Sequence, residues 1–483
     1  MGFKFVVLWT DLALWALFLA LALYVRRVAR SPQLAATWLK VMRDPAALCS
    51  AFVLGLFLLV TALDSVHFRR ALPPAPGQAA GQVFYDARTE SLLDLVFARQ
   101  LAMRESTYSE PLAAYAQQKQ PALRDGVVVR EFPRLVHGGA HLKNPEAERG
   151  ADIAKRVAAG LAGGLAVAVL AGVLLAAALA RAHGGFGAAA RDLLADRTSL
   201  PLRALLVTVT VTCLLAGMVV ALMGHYHVFG TDRTGNDVLV QAFKSVRTAF
   251  VIGALSTLAT LPIAVTLGIL AGYFRGWVDE VVQYLYTVLS SVPSVLLIAA
   301  CVLMVQVAMD KHPDWFETGL ERSDVKVFLL CVILGVTGWA TLCRLVRAET
   351  MKLRELDFVQ AAVAFGVKPG RIMLRHVFPN VVHLVLITTV LNFSYLILYE
   401  AVLTYVGVGV DPSTSSFGGM INLARSEMSR SPVVWWSFAA AFGFMVTLVL
   451  AANLFADGVQ QAFDPRARVL RPRLAFKARK VAA

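Results

Sequence analysis

Between two long apolar runs the chain carries a polar, basic interruption, Asp357 to Asn380, reading DFVQAAVAFGVKPGRIMLRHVFPN. Its apolar positions, Leu356, Val359, Val363 and then Met373, Val377, Val381, return at helical spacing, which predicts two short helices. Gly366 supplies the backbone freedom that stops the first, and Pro369 suits the first turn of the second, where its missing N–H would be unpaired anyway. Lys368, Arg371 and Arg375 then share one face of the second helix, and Pro379 is expected to end it. The chemistry of such an element is recognition. It is either a positively charged loop of the kind most polytopic membrane proteins carry, or a docking element for another protein. Because most connections are short, a glycine-hinged helix pair is an expensive way to make a mere connector.

Other residues invite chemical readings. Glu400 interrupts an apolar run, where a carboxylate costs a few kcal/mol unless hydrated, paired or neutral; near the outer third of its span, water is expected to reach it. In the run from His227 to Leu239, HVFGTDRTGNDVL, the residues Asp232, Asn236 and Asp237 can close turns or cap a helix, with Gly230, Thr231 and Gly235 between them. Pro293, in SSVPS, favours a kink or a broken helix, which either lines a path or is ordinary kinked packing. His137 and His141 are four apart in HGGAH, but the glycines argue against the helix a metal site would need there, and no metal is expected. Cys49, Cys213, Cys301, Cys331 and Cys343 have no CxxC or paired spacing and read as small buried hydrophobes. Neither a G-x-x-x-x-G-K-[ST] phosphate loop nor HExxH or G-x-S-x-G occurs. No catalytic residue and no cofactor are therefore expected on this chain, and energy must come from a partner.

The elements that must position these residues are apolar. At 483 residues and 58% hydrophobic, the chain is far more apolar than a soluble domain needs. Its net charge of +14 collects at the ends of apolar runs, which reads as orientation in a bilayer and not as nucleic-acid binding. Runs at Phe5–Tyr24, Leu48–Leu63, Val157–Leu179, Leu202–Met223, Val246–Tyr273, Val281–Met309, Lys326–Leu345, Leu384–Val408 and Val433–Phe455 predict an all-α polytopic protein of about nine spans. The first run reads as an uncleaved span, since its charges follow it. Arg26, Arg27, Arg30, Lys40 and Arg43 place the following loop in the cytoplasm, so the N-terminus is expected outside and the C-terminus inside.

The expected divisions are a two-span extension (1–63), an extracytoplasmic insert (64–156), a third extension span with a linker (157–201), a core (202–468) holding the 355–380 loop, and a basic tail (469–483) beside anionic lipid. Within the insert a Pro-rich stretch, Leu72 to Pro76, precedes an amphipathic helix from Thr89 to about Arg104. Its apolar side is Leu92, Leu93, Val96, Phe97 and Leu101, and Gly126–Phe132 reads as a short strand.

Four runs, in order, carry a family resemblance. Gln360-Ala361-Ala362, Gly366, Arg371-Ile372, His376-Val377 and Pro379-Asn380 look like the EAA loop of ABC importer permeases. The run from His227 to Leu239 resembles the H-P-L-G-T-D-x-x-G-R-D-V-L signature of oligopeptide and dipeptide permeases, with Asn236 in place of Arg and Val228-Phe229 in place of Pro-Leu. Ala271 to Asp279 is similar to A-G-Y-x-G-G-W-x-D, and Asp457-Gly458 with Asp464-Pro465-Arg466-Ala467-Arg468 to the D-G-x-x-x-x-x-D-P-R-x-R ending. Glu400 opens a similar E-A-x-L-x-x-x-G-x-G run.

The resemblance covers about residues 202–468 and is closest to the C-type permease of such systems. It implies an importer subunit for di- or oligopeptides or peptide-like solutes in a bacterial inner membrane. The implied partners are a second homologous permease, two ATPase subunits that carry ATP and Mg, and an extracytoplasmic substrate-binding protein. The loop residues Gln360, Ala361, Ala362, Gly366, Arg371, Arg375, His376 and Pro379 would couple to an ATPase, the outer signature would face the binding protein, and Glu400 would serve structure or gating. Gln360 stands where the family usually has Glu, keeping length and an acceptor but losing the charge. The competing readings are an ATPase-coupled exporter or mechanotransmitter whose insert grips a partner, and an intramembrane enzyme.

Overall fold

Hydrocarbon offers no partners for backbone N–H and C=O groups, so apolar runs of this length satisfy themselves as helices. The computed structural model describes residues 3–72, 84–86, 88–124, 127–181 and 184–463. The Pro-rich residues 73–76, the Asp464–Arg468 ending and the basic tail lie outside the described residues.

The chain opens with a strand, β1 (Phe3–Val6), and not with a helix from Phe5, because this segment pairs antiparallel with β2 (His67–Arg70). Helices α1 (Trp9–Arg30), α2 (Pro32–Met42) and α3 (Pro45–Asp64) lie between the two strands. Then come β3 (Glu90–Ser91), on the other side of β2, and two short helices, α4 (Leu92–Val96) and α5 (Ala98–Ala102). The single amphipathic helix expected over Thr89–Arg104 is thus broken at Phe97. Ser91 and Asp94 close a capping box at the start of α4, Leu93 and Phe97 are buried, and Leu92 and Val96 are left exposed. A hairpin of β4 (Gln120–Arg124) and β5 (Val127–Glu131) completes the sheets, and β5 occupies the expected strand.

Long helices follow. The third apolar run begins earlier than expected, as α6 (Pro145–Leu179), so the last residues assigned to the insert are helical. After α7 (Phe186–Leu194), α8 (Leu202–Met223) packs on α6 through glycine: a Cβ at Gly160 would lie 2.5 Å from the Gly217 carbonyl. The centre of the bundle is α9 (Val238–Phe274), packed by α12 (Gly319–Gly338), α13 (Ala340–Arg354) and α16 (Phe378–Tyr405). Gly268 and Gly272 let α13 approach, since added Cβ atoms there would sit 2.8 Å from Val346 and 2.6 Å from Thr350. The expected span over Val281–Met309 is divided at Val292-Pro293 into α10 (Gly276–Ser291) and α11 (Ser294–Lys311). Before α16 come α14 (Asp357–Ala364) and α15 (Pro369–Ile372); after it come α17 (Phe417–Glu427) and α18 (Trp436–Phe463).

Among the described residues eight helices are long and apolar enough to cross a membrane, and nine if α12 and α13, bent by 42°, form one span. The strands of the insert and the start of α9 lie at one end of the bundle. Trp38 of α2 meets Phe455 and Phe463 near the C-terminal end of α18.

Candidate functional site

The projection between α13 and α16 is built from α14, Gly366 and α15. Gly366 adopts φ +71°, a left-handed turn that glycine enters without strain and that stops α14. One face of the projection is anchored: Val359, Ala362, Ile372 and Val377 are buried with Tyr273 of α9 and Val346 and Leu353 of α13. The other face is open. Phe365 at the tip is 86% exposed, Leu374 is 74% exposed, and Phe358 and Val363 are also exposed, beside the exposed cations Lys368, Arg371 and Arg375. Ala361 is exposed as well, while His376 is half-buried against Phe358. Solvent-facing aromatics flanked by cations are the composition of a protein-binding surface.

Pro379 requires a correction, because it does not end the basic helix. The chain passes from α15 through a π turn, Met373–Val377, directly into α16, with Pro379 near its start. A proline ring clashes with the carbonyl four residues back and offers no N–H; the wider π turn makes room for the ring and absorbs the missing bond. Arg375 and His376 therefore sit in the π turn, rigidly continuous with a long helix.

Polar contacts brace the projection from behind. Gln360, at the first position of the QAA run, is exposed and its amide donates to the Glu355 carbonyl (3.2 Å). Glu355 pairs with Arg275 at the end of α9, and Asp279 of α10 accepts from Arg347 of α13 (2.7 Å).

At the opposite end, the 227–239 run is a turn locked onto the insert. Asp232 accepts from the N–H groups of Thr234 (2.8 Å) and Asn236 (2.9 Å), and Asp237 caps α9 by accepting from Leu239 N–H (2.9 Å). Thr231 Oγ1 accepts from Ser109 N–H (2.7 Å), and its carbonyl accepts from Trp436 Nε1 (3.0 Å). Gly230 and Gly235 have positive φ and touch insert backbone; a Cβ at Gly235 would lie 1.8 Å from the Glu105 carbonyl.

Glu105 is the contact that sequence reasoning missed. Its carboxylate accepts from the N–H groups of Val136 (3.0 Å), His137 (2.8 Å) and Gly138 (3.0 Å), and lies 3.5 Å from His227, whose other nitrogen meets Asp237 at 2.8 Å. Burial alone would raise the Glu105 pKa, but His227 and the three N–H groups hold it at about 2. Burial alone would lower that of His227, but Asp237 and Glu105 lift it to about 9. His137 and His141 do not converge. His137 serves Glu105 through its backbone, and His141 pairs with Asp152 (2.9 Å).

Insert and core together line a cavity of about 1140 Å³, with Arg88, Gln100 and Arg104 from the insert and Asp232, Lys244 and Asp411 from the core. Asp237 also reaches this lining; Pro293 does not. Beneath its floor Glu400 is 2% exposed, which corrects the expectation that water reaches it. Thr404 Oγ1 of the same helix donates to it (2.7 Å), and the Ser416 side chain and Gly418 backbone at the start of α17 hydrogen-bond to it, so the carboxylate fastens α17 to α16. A second buried cluster had no sequence signal: Asp11 of α1 meets His67 (2.7 Å) and Arg247 of α9 (2.6 Å), and Asp324 of α12 lies 3.6 Å from the same guanidinium.

Comparison with known proteins bears on both ends of this arrangement. Residues 264–469 match the family described as binding-protein-dependent transport system inner membrane component. The chain is 32% identical over 248 residues to the oligopeptide transport system permease protein OppC of Mycobacterium bovis, covering 51% of this chain and 79% of that protein. It is 30% identical over 246 residues to OppC of Haemophilus influenzae (51% and 72%), and 29% over 240 residues to the dipeptide transport system permease protein DppC of Alkalihalophilus pseudofirmus (50% and 72%). With its bundle of spanning helices and a braced, exposed projection between α13 and α16, the chain belongs to the binding-protein-dependent transport system inner membrane components, the permease subunits of ABC importers.

Proposed function

We propose that this permease imports oligopeptides, dipeptides or peptide-like solutes across a bacterial inner membrane. A second permease completes the path, two ATPase subunits lie below the pair with one of them seated on the α14–α15 projection, and an extracytoplasmic binding protein delivers solute to the opposite face. The N-terminus, the insert and the start of α9 lie outside; the projection and the C-terminal end of α18 lie in the cytoplasm, on the same side as the arginines that end α1.

The carrying observation is the projection itself, an apolar tip with Phe365 86% exposed, set in a basic surround and rooted in α9, α13 and α16. An ATPase cleft closing on this tip would move α15 and, through the unbroken π turn, the whole of α16. Hydrolysis is thereby converted into a change of helix packing. Glu400 lies on that same helix, where it ties α16 to the start of α17 through Ser416 and Gly418.

Substitution of Gly366 tests the reading. Proline fixes φ near −65°, whereas this position holds +71°. Gly366→Pro is expected to leave membrane abundance near wild type, because a side chain there meets nothing within 4 Å, while uncoupling uptake from ATP hydrolysis. Uptake of a radiolabelled peptide in cells, with ATPase activity measured in isolated membranes, reads the effect. Normal coupled uptake at normal abundance would remove the projection from the mechanism.

A further inference from the structure

The cavity at the outer end retains positive charge once its carboxylates are matched. Asp237 is held by His227, whereas Asp232 accepts only from the uncharged Thr234, Asn236 and Gln241 and so offsets one of the cations that follow. Asp411 accepts from Ser413 N–H (3.0 Å) and has Lys326 at 3.7 Å. Glu427 is buried, and that burial raises its pKa. Among the cations, Lys244 is matched by Asp94 at 2.6 Å. Arg88, Arg104 and Arg233 also line the cavity and are exposed to it, and among the described residues no carboxylate lies within ion-pair distance of any of them. Arg104 is steadied by Nε donating to the carbonyl of Thr234 (2.9 Å), the residue after Arg233, and both its Nη groups are left for another acceptor in the cavity that the two arginines line.

We propose that Arg104 and Arg233, with Arg88 beside them, form a receiving site for the free carboxylate of the incoming solute. The proposal rests on the import reading and deepens it. It gives the insert a role in selecting solute, since Arg88 and Arg104 lie outside the family match at 264–469. Guanidinium forks match carboxylate geometry, with two parallel N–H···O bonds available to each. A concavity of about 1140 Å³ receives a small solute, whereas the surface of a docked protein would need a broad, flat face. Because the site is open to water, its hold is modest, which suits a group that must be passed onward.

The experiment is uptake by energised cells of a tripeptide with a free C-terminal carboxylate, compared with its C-terminal amide. Wild type is compared with Arg104→Gln and Arg233→Gln at matched membrane abundance. The expected result is a wild-type preference for the carboxylate that falls by about tenfold in either variant, with amide uptake unchanged. Arg233→Lys should restore part of the preference. Equal loss for both peptides, or no wild-type preference, overturns the carboxylate site while leaving import standing. Uptake of neither peptide by wild type overturns the import reading and this site with it. If Arg104→Gln lowers abundance through its Thr234 bond, Arg233→Gln, an exposed loop position, carries the test.

Discussion

Glu105 and His227 join an insert outside the matched family region to the loop that precedes α9, and their ionisation sets when that joint holds. The Glu105 pKa is about 2 against an ordinary 4.5, so its contribution is complete above pH 4.5 and lost as pH falls through about 2. The His227 pKa is about 9 against 6.5, so its contribution is complete below pH 6.5 and lost as pH rises through about 9. The joint should be tightest between about pH 4.5 and 6.5. Limited proteolysis of the insert in right-side-out vesicles should show protection declining from pH 6.5 to 9, and His227→Gln should flatten that decline while lowering protection at pH 6. A flat wild-type profile over this window would refute the joint. Residues of this kind were hard to read from sequence. Glu105 gathers N–H groups from Val136 to Gly138 and a histidine more distant still, and no local spacing announces a contact made only by folding. The 227–239 turn was readable, because Asp232 and Asp237 bond to N–H groups within four residues of themselves.

At the scale of elements, local signals served well where a helix is fixed by its own ends. Gly366 stops α14 through its backbone conformation, and Pro369 starts α15, both visible as residue types. Pro379 misled for a physical reason: whether a proline ends a helix or is absorbed by a π turn depends on packing around Ile372, Val377 and Val381. The same limit applies to Thr89–Arg104, where burial of Leu93 and Phe97 against α9 overrides a continuous amphipathic pattern. The projection itself predicts a clean separation of fold from partnership. Phe365 contributes almost nothing to the internal core, so Phe365→Asp should change the thermal unfolding midpoint of the purified permease little. It should also abolish co-purification with the ATPase after mild detergent extraction, as expected for an aromatic anchor worth about 2 kcal/mol or more at an interface. Retained co-purification would move the ATPase contact away from this tip.

Across the whole molecule, the helices before α9 join the family core unevenly: α3 packs along α18 and α9, whereas α1 touches α12 and α9 at a few points. Helix α1 buries only Thr10, Asp11 and Leu14, too little apolar surface to fix its place by packing alone. Its hold is polar: Thr10 N–H donates to Asp324 (3.0 Å), and Asp11 bridges His67 and Arg247. Arg247 is thus shared between a helix of the extension and α12 of the core, and removing any one charge strands the others away from water. Breaking such a buried pair typically costs about 3–5 kcal/mol, while neutralising both partners costs much less. A double-mutant cycle of Asp11→Asn and Arg247→Gln, read from unfolding in detergent, should therefore show each single change strongly destabilising and the pair clearly less than additive, with a coupling of about 1–3 kcal/mol. Additive effects would mean that α1 only leans on the bundle. Strong coupling would make α1 a brace across the core, because α9 and α12 could then not shift against each other without breaking the bonds of α1.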